Sequence, residues 1–342
     1  MPAVTYKCPN CDSYLEYSPE NDHFSCAYCG STFTLDALKV PAQPKAAEAP
    51  KPEAQLSVYT CKSCGAEIVT DDTTAATFCV YCHNPVILSG ALSGELLPDQ
   101  VIPFRIPKET VVAQLKEWCK KKRFIDKAFL SDAQVEKLSG VYFPFFVVDG
   151  AAKGSLNKRG TKISTWKSGN YTYTKTDTYA IERAGTVNFN DITITALKKK
   201  HTFILNGILP FNQKDAVPFT TAYLSGFLAD KRNITKEQAL PEVEKTVGDF
   251  TKKLLDDTIT GYSGSSFQSD EIRLTQTDFS YVLAPVWMLC FQFAKDNYYF
   301  ALNGLSGKIA GRVPYSPSKL WALAAALFGL VFAAMLAIGW WL

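Results

Sequence analysis

Eight of the ten cysteines fall into four Cys-x2-Cys pairs near the N-terminus, and this spacing constrains the fold more than any other feature of the chain. The pairs form two sets with the spacing C-x2-C-x14-C-x2-C, namely Cys8, Cys11, Cys26 and Cys29, then Cys61, Cys64, Cys79 and Cys82. Two Cys-x2-Cys turns aim four thiolates at one point, which is the arrangement of a tetrahedral Zn2+ site. Because four protein ligands leave no position for water, we predict two structural zinc ribbons, each holding one ion.

The metal is also expected to drive folding, because a module of about 30 residues buries too little apolar surface to be stable alone. The N-terminus has no apolar run, so we expect no secretory signal peptide, and cysteine pairs in a segment that is not exported are better interpreted as metal ligands than as disulfides. Redox dithiols and iron–sulfur ligation are the alternatives. The other two cysteines, Cys119 and Cys290, lie in apolar patterns and are expected to be packed thiols. His23 and His83 are expected at the surface, since the cysteines already fill both sites.

The C-terminal residues 320–342 carry no charged side chain, and about 20 apolar residues suffice to cross a bilayer as a helix. Trp321 lies at one end of this run and Trp340 and Trp341 at the other, as in interfacial aromatic belts. Basic residues precede the run at Lys308, Arg312 and Lys319. The positive-inside rule therefore predicts a single-pass protein of the cell membrane with its N-terminal bulk in the cytoplasm. A buried core helix is the alternative.

Composition divides the chain into five segments, and the fold class that they predict is multidomain α+β. We expect zinc ribbon 1 at 1–39, a disordered Pro/Ala linker at 40–56, zinc ribbon 2 at 57–88, a mixed antiparallel α/β domain in the cytoplasm at 89–316 and a transmembrane helix at 317–342. A weak similarity between 101–160 and 209–302 is the basis of a further hypothesis, that the large domain consists of two related halves.

Strand patterns are clearest in the middle of the large domain. The continuous apolar run 141–148 predicts a buried strand, and the Asp149-Gly150 pair after it is a signal for a hairpin turn. Threonine, tyrosine and isoleucine alternate with polar residues over 161–195, which predicts antiparallel strands.

Helix patterns flank these strands. Apolar residues spaced three or four apart from Val111 to Cys119 predict one helix, and Thr235 with Gln238 predicts a capping box at the start of another. Pro241 is expected to kink or split this second helix. Its predicted apolar stripe is Val243, Val247, Phe250, Leu254 and Leu255.

No arrangement of nucleophile, acid and base is recognisable in the sequence. The segment 302–309 resembles a phosphate-binding loop but lacks its first glycine and its final Ser or Thr, so a β-turn at Asn303-Gly304 is the better interpretation. Ser225 lacks the first glycine of a nucleophile elbow. We therefore predict that the protein is not an enzyme, with no catalytic residues and no small-molecule substrate.

The charge distribution disfavours binding to nucleic acid. Residues 1–40 contain two lysines against five acidic residues, and residues 57–88 contain one lysine against three, whereas phosphate contact requires Lys and Arg. The basic clusters lie elsewhere, at Lys116, Lys120, Lys121, Lys122, Arg123, Lys153, Lys158, Arg159, Lys162, Lys198, Lys199 and Lys200. A solvated surface is the simpler interpretation of these clusters, and attraction to anionic lipid headgroups is the alternative.

Two resemblances to known families follow from these motifs. The segment 8–30, which contains Cys-Pro-Asn-Cys and Cys-Ala-Tyr-Cys-Gly, resembles the zinc-binding segment of the primosomal helicase PriA. The Walker A loop and the helicase motifs are missing, so this resemblance concerns the ribbon alone and does not imply a role in replication restart.

The second resemblance covers nearly the whole chain. Its motifs are 102–104 (Ile-Pro-Phe), 140–146 (Gly-Val-Tyr-Phe-Pro-Phe-Phe), 223–227 (Tyr-Leu-Ser-Gly-Phe), 281–289 (Tyr-Val-Leu-Ala-Pro-Val-Trp-Met-Leu) and 299–304 (Tyr-Phe-Ala-Leu-Asn-Gly). They are similar to those of the YdjG-like zinc-ribbon, single-pass membrane proteins of Gram-positive bacteria. The resemblance implies a component of an envelope-stress operon that helps to place an SPFH-domain (flotillin-like) protein and a PspA-type protein at the membrane.

We therefore expect a non-enzymatic adaptor, anchored in the lipid bilayer, that binds protein partners at the cytoplasmic face. The alternative is a membrane-tethered zinc-ribbon protein that binds nucleic acid or acts in replication or transcription. A hydrolase or transporter-associated enzyme is a third hypothesis, which the lack of a catalytic pattern disfavours.

Overall fold

A computed structural model describes residues 3–4, 6–11, 13–19, 21–38, 57–61, 67–70, 73–79, 85–88, 92, 96–122, 124, 138–198, 202–293, 296–313 and 316–341. The chain divides into two compact units. The first comprises Met1–Phe143, Lys199–Lys231 and Leu283–Leu342, and the second comprises Pro144–Lys198 and Arg232–Val282. Each unit contains strands and helices, which confirms the predicted α+β class. The segment boundaries expected from composition stay a prediction.

The strands of the N-terminal part are β1 (Ala3–Val4), β2 (Leu15–Ser18), β3 (His23–Cys26), β4 (Thr32–Phe33), β5 (Ser57–Thr60), β6 (Glu67–Thr70), β7 (Thr74–Phe78) and β8 (Pro85–Leu88). The later strands are β9 (Gln100–Val101), β10 (Ser139–Ser168), β11 (Tyr171–Thr195), β12 (Val217–Pro218), β13 (Leu228–Asp230), β14 (Gly264–Phe293), β15 (Asp296–Asn303) and β16 (Ile309–Gly311). The helices are α1 (Lys108–Lys120), α2 (Lys236–Asp257) and α3 (Pro317–Trp341).

A large mixed sheet forms the centre of the first unit. Its strands lie in the order β1-β8-β7-β13-β10-β14-β15-β16, and β9 pairs with both β12 and β14. Strand β10 runs parallel to β13 with Val141 opposite Leu228, whereas β14, β15 and β16 form an antiparallel meander. Every residue of 141–148 and of 281–289 is buried, as expected for continuous apolar runs in central strands. The buried strand predicted at 141–148 is therefore confirmed.

The segment that carries the second cysteine set contributes strands to two different sheets. Strands β5 and β6 pair only with each other in the described part of the chain. Strands β7 and β8 instead join the large sheet, where β7 pairs with β13 and β8 pairs with β1.

Asn303 stabilises the turn between β15 and β16. Its side chain is fully buried, and its Oδ1 accepts hydrogen bonds from the N–H groups of Leu305 and Ser306, both at 2.9 Å. Its Nδ2 donates to the carbonyl oxygen of Ile208 at 3.0 Å. The β-turn predicted at Asn303-Gly304 is therefore confirmed.

A long hairpin of β10 and β11 is the main feature of the second unit. The pairing extends from Phe145 opposite Thr195 to Ser168 opposite Tyr171, and Gly169 adopts a positive φ of 61° at the turn. Glycine is favoured at such a position because it has no Cβ to clash with the backbone. This pairing confirms the antiparallel strands predicted from the Thr/Tyr/Ile alternation.

The hairpin turn predicted at Asp149-Gly150 is wrong, because β10 continues through this pair with a β-bulge. The register shifts between Val148 and Gly150, and Asp149 Oδ1 accepts a hydrogen bond at 2.8 Å from the N–H of Asp191, whose φ is 61°. A side-chain acceptor followed by a flexible residue suits a bulge as well as a turn, so the sequence signal is ambiguous between them.

Helix α2 begins as predicted. Thr235 Oγ1 accepts from the N–H of Gln238, and Gln238 Oε1 accepts from the N–H of Thr235, which completes a capping box. The helix continues through Pro241, so the predicted split is wrong. Pro241 lies in the second turn of the helix, where its ring removes one backbone hydrogen bond close to an end that is already capped.

The buried stripe of α2 differs from the predicted one. The buried residues are Ala239, Val243, Val247, Thr251 and Leu255, which recur at every fourth position. The side chains of Phe250 and Leu254 are 49% and 39% exposed, so their predicted burial is wrong. Thr251 faces the core because Gly154 of β10 leaves room for it; a Cβ on Gly154 would lie 2.7 Å from Thr251 Cγ2.

Helix α3 is long and apolar enough to cross a membrane by its length and composition. Its segment Lys319–Leu336 has a mean hydropathy of 2.0, and none of this segment is buried within the structure. A core helix would be covered by the protein, so the exposure counts against the alternative of a buried core helix.

The close approach of α2 to β10 predicts a position-specific effect of adding one methyl group. In Gly154→Ala the new Cβ forces the helix and strand apart, and we expect a loss of roughly 1–3 kcal/mol of unfolding free energy. The measurement is urea unfolding of the detergent-solubilised chain, followed by circular dichroism.

Gly185, which pairs directly with Gly154, provides the control, because a Cβ at Gly185 would meet nothing within 4 Å. Gly185→Ala should leave the unfolding free energy unchanged or raise it by up to about 1 kcal/mol. Equal effects of the two substitutions would contradict the packing of α2 on β10.

Candidate metal centre

Two tight turns position the first cysteine set. Cys8 and Cys11 lie on the turn that follows the bridge between Lys7 and Tyr14, while Cys26 ends β3 and Cys29 lies in the next turn. The N–H of Cys8 donates to the carbonyl of Ser13 at 2.6 Å, which closes the first turn. In the second turn Gly30, with a φ of 71°, donates its N–H to the carbonyl of Cys26 at 3.0 Å.

These turns bring four sulfur atoms together. The Sγ atoms of Cys8, Cys11, Cys26 and Cys29 all lie within 4.8 Å of one another. The Cys8–Cys29 distance is 3.6 Å and the Cys11–Cys26 distance is 3.5 Å. Four sulfurs placed 2.3 Å from a tetrahedral Zn2+ would be about 3.8 Å apart. The cluster therefore fits a metal ion without rearrangement of the backbone.

Backbone amides point at the sulfurs of both turns. The N–H of Asn10 donates to Cys8 Sγ at 3.4 Å, and the N–H of Cys29 donates to Cys26 Sγ at 3.5 Å. Such bonds favour the thiolate over the thiol, and the thiolate is the form that binds metal.

The pKa values within the cluster diverge, as expected for four acidic groups at close range. Hydrogen bonds with the Ser31 side chain and backbone lower the pKa of Cys29 to about 6. A backbone hydrogen bond from Ser13 acts to lower the pKa of Cys11, but burial and the neighbouring thiols outweigh it and raise this pKa to about 12. Four thiolates repel one another strongly unless a cation lies between them, which is a second reason to expect a metal here.

Aromatic side chains form the core of the module that surrounds these four cysteines. Phe24 is 1% exposed and Tyr17 is 5% exposed, and their ring centroids lie 5.4 Å apart. Tyr28, adjacent to Cys29, is by contrast 83% exposed.

The module is attached to the loop 221–227, a role that sequence analysis did not detect. Ser225 provides two of the contacts: its carbonyl oxygen accepts from the N–H of Tyr17 at 3.1 Å, and its Oγ donates to the carbonyl of Leu15. In addition, Tyr6 Oη lies 2.5 Å from Thr221 Oγ1. Ser225, considered in the sequence only as a nucleophile, thus joins the metal module to the rest of the first unit.

Glycine at position 226 permits this close contact. Gly226 has a φ of 89°, and a Cβ placed on it would lie 3.2 Å from Glu16 Cβ. The Tyr-Leu-Ser-Gly-Phe motif is therefore explained by contact with β2. Its tyrosine and phenylalanine also pack on Tyr17, with centroid distances of 5.3 Å for Tyr223 and 6.4 Å for Phe227.

Only half of the second cysteine set belongs to the described residues. Cys61 and Cys79 are both buried, directly after β5 and β7. Cys64 and Cys82 lie outside the described residues, so the convergence of these four cysteines stays a prediction.

The remaining candidates have ordinary structural roles or are not described. Cys119 is buried on α1, and burial raises its pKa to about 11, in agreement with a packed thiol. The side chain of Cys290 lies outside the described residues, as does His83. His23 is half-buried on β3.

Comparison with known proteins gives one full-length match. The chain is 30% identical over 332 residues to the uncharacterized protein YdjG of Bacillus subtilis (strain 168), and the alignment covers 97% of this chain and 96% of that protein. No family model matches the chain, and no solved structure matches it either.

The geometry of the cluster predicts that each of its four cysteines is needed to hold metal. Replacement of Cys11 or Cys26 by serine removes one ligand, so the metal content of the purified chain should fall by one ion. The measurement is elemental analysis of protein purified under reducing, metal-replete conditions. Cys119→Ala, which alters a buried cysteine outside the cluster, should leave the metal content unchanged; a loss in that variant would contradict the assignment.

The low pKa of Cys29 predicts how metal retention depends on pH. Protons compete with metal for the thiolate, so a lowered pKa lets the site keep its metal to lower pH, and protons begin to compete at Cys29 only as the pH falls toward and below about 6. Ser31→Ala removes the side-chain hydrogen bond and raises the pKa of Cys29, so its metal should be released at a higher pH than in the wild type.

A chromogenic chelator, added at a series of pH values, measures this release. Ser18→Ala alters a serine on β2 of the same module and should give the wild-type curve. An unchanged release midpoint in Ser31→Ala would show that this hydrogen bond does not control the ligand.

Proposed function

Because the chain belongs to the YdjG family, we propose that it is a membrane-anchored, non-enzymatic adaptor whose zinc-binding modules and α+β units bind protein partners at the cytoplasmic face. The observation that carries this proposal is the closed set of four sulfurs at Cys8, Cys11, Cys26 and Cys29. A metal ion with four protein ligands has no position for water or substrate, so it serves the fold and not a reaction.

Zinc is the metal that this donor set favours. Thiolates are soft ligands, and a tetrahedral set of four selects Zn2+ or an iron–sulfur centre among the common metals. The Cys-x2-Cys turns and the sulfur separations near 3.5 Å suit a single ion. We extend the proposal to a second structural zinc ion at Cys61, Cys64, Cys79 and Cys82, on the basis of the identical spacing.

Helix α3 is proposed as the membrane anchor. Its uncovered apolar surface supports this, because a helix satisfies all its backbone hydrogen bonds internally and can therefore be surrounded by lipid. The basic residues that precede it support a cytoplasmic location for the N-terminal bulk.

Protein partners are favoured over nucleic acid by the charge of the first module. Five acidic residues and two lysines in 1–40, together with four thiolates on one divalent ion, give a negative surface that repels phosphate. The family resemblance points to an SPFH-domain protein and a PspA-type protein as partners in the response to envelope stress.

A crosslinking pull-down from membranes tests the proposal. The full chain should remain in the membrane fraction after alkaline carbonate extraction and enrich an SPFH-domain protein and a PspA-type protein. The double variant Cys8→Ser with Cys11→Ser should stay in the membrane but capture much less of both partners, because its metal module no longer folds.

A chain truncated after residue 316 is the control for anchoring and should appear in the soluble fraction. Enrichment of DNA or RNA in place of the two protein partners would support the nucleic-acid alternative. Release of the full chain by carbonate would refute the membrane-spanning helix.

A further inference from the structure

The far end of the β10–β11 hairpin extends beyond the elements that support its base. Ser263, immediately before β14, makes two hydrogen bonds with β10. Its N–H donates to the Thr161 carbonyl at 2.8 Å, and its Oγ accepts from the N–H of Ile163 at 3.0 Å. Beyond this point β10 and β11 pair only with each other among the strands that the structure describes, and every residue of 162–176 is exposed. We call residues 162–176 the distal ribbon.

The two faces of the distal ribbon differ in chemistry. Directly opposed residues of an antiparallel pair share a face, and faces alternate along each strand. One face therefore carries Trp166 opposite Tyr173 and, at the tip, Tyr171 opposite Ser168, together with Lys162 and Lys175. The other face carries Ile163, Thr165, Lys167, Thr172, Thr174 and Thr176.

The aromatic face is exposed to an unusual extent for residues of this size. Trp166 is 49% exposed, Tyr173 is 46% exposed and Tyr171 is 72% exposed. The rings of Trp166 and Tyr173 stack at a centroid distance of 5.7 Å and an interplanar angle of 14°. An isolated two-stranded ribbon is only marginally stable in water, so a contact on this face would stabilise it.

The distal ribbon carries an excess of positive charge. Its sequence contains three lysines, Lys162, Lys167 and Lys175, and no acidic residue. Asp177, directly after the ribbon, forms an ion pair with Lys175 at 3.0 Å, and the Lys175 side chain stays 61% exposed. Lys162 Nζ lies 5.5 Å from the ring centroid of Tyr179 and 5.4 Å from that of Tyr262, so aromatic rings hold its ammonium group at the base of the ribbon. The preferred partner surface is therefore anionic and accepts aromatic side chains.

We infer that the aromatic face of the distal ribbon docks onto the anionic surface of the lipid bilayer. Tryptophan and tyrosine place their rings at the level of the lipid headgroups, and nearby lysines are attracted to anionic lipids. This inference rests on the proposed function, because the spanning helix is what keeps the ribbon beside a bilayer.

The arrangement of the rings favours lipid over single-stranded nucleic acid. Bases bind by stacking on open aromatic faces, but Trp166 and Tyr173 already turn one face of each ring toward the other. Their indole N–H and phenol O–H groups lie on an exposed ribbon, where they can bind headgroup oxygens as interfacial aromatics do.

Hydrogen–deuterium exchange of the full chain in nanodiscs tests the inference. In nanodiscs that contain phosphatidylglycerol, amides of 163–168 and 171–176 should exchange roughly tenfold more slowly than in nanodiscs of phosphatidylcholine alone. The double variant Lys162→Gln with Lys175→Gln should lose most of this protection, and so should Trp166→Ser. If Trp166→Ser disrupts the ribbon itself, the double variant Lys162→Gln with Lys175→Gln still tests the inference.

A second double variant, Lys153→Gln with Lys167→Gln, removes the same charge from outside the aromatic face and should keep most of the protection. Equal protection in both lipids, or equal loss in both double variants, would overturn docking by this face. Stronger protection by added single-stranded RNA in phosphatidylcholine nanodiscs would overturn it in favour of nucleic acid.

Retention of the chain on the nanodiscs is scored separately. A retained chain with an unprotected ribbon refutes docking alone, whereas a chain that leaves the nanodiscs refutes the spanning helix and the docking with it.

Discussion

The packing around Phe227 joins the metal module to the large sheet of the first unit. Its ring stacks on Phe104 at a centroid distance of 4.3 Å and lies 5.7 Å from Tyr142 of β10 and 6.4 Å from Tyr17 of the module. The backbone of β10 can approach because Gly140 has no side chain; a Cβ there would lie 2.5 Å from the Phe227 ring. Each aromatic pair adds about 0.5–1.5 kcal/mol beyond its buried area, so this junction is a substantial part of the core.

On the proposed zinc occupancy, the junction makes the metal important beyond its own module. Binding of a structural zinc ion contributes roughly 10–16 kcal/mol in small modules, which is comparable with the net stability of a whole domain. That free energy holds β2 in place, and β2 in turn presents the Leu15 carbonyl and the Tyr17 N–H to Ser225. Without the metal, both hydrogen bonds and one side of the Phe227 cluster lose their support. On the proposed function, a closed site of this kind acts through packing and not through coordination of a substrate.

Sequence patterns predicted the parts of this structure that depend on local spacing. The first two cysteine pairs indicated a four-cysteine cluster, Thr235 with Gln238 indicated a capping box, and the apolar run 141–148 indicated a buried strand. Each of these signals comes from residues close together in the chain, and each is present in the structure.

The errors and omissions arise where contacts between distant segments decide the outcome. Asp149-Gly150 forms a bulge because the Asp149 carboxylate accepts a hydrogen bond from the N–H of Asp191 on the opposite strand. Phe250 is exposed and Thr251 is buried because of a glycine nearly a hundred residues earlier in the chain. The role of Ser225 depends on a strand more than two hundred residues away. No pattern within a window of the sequence contains these pairings.

The surfaces that the fold leaves uncovered provide the last constraint. The segment Lys319–Leu336 exposes an apolar helix that water solvates poorly, while the distal ribbon exposes aromatic rings on a pair of strands. Both are costly in water, and a bilayer reduces both costs, since its hydrocarbon core accepts the helix and its headgroup layer accepts tryptophan and tyrosine. The two features differ in what they require of the lipid: the helix needs only hydrocarbon, whereas the lysines of the ribbon also need negative charge. On the proposed role, anchoring by the helix is then independent of lipid composition, whereas docking of the hairpin at the membrane surface requires anionic lipid.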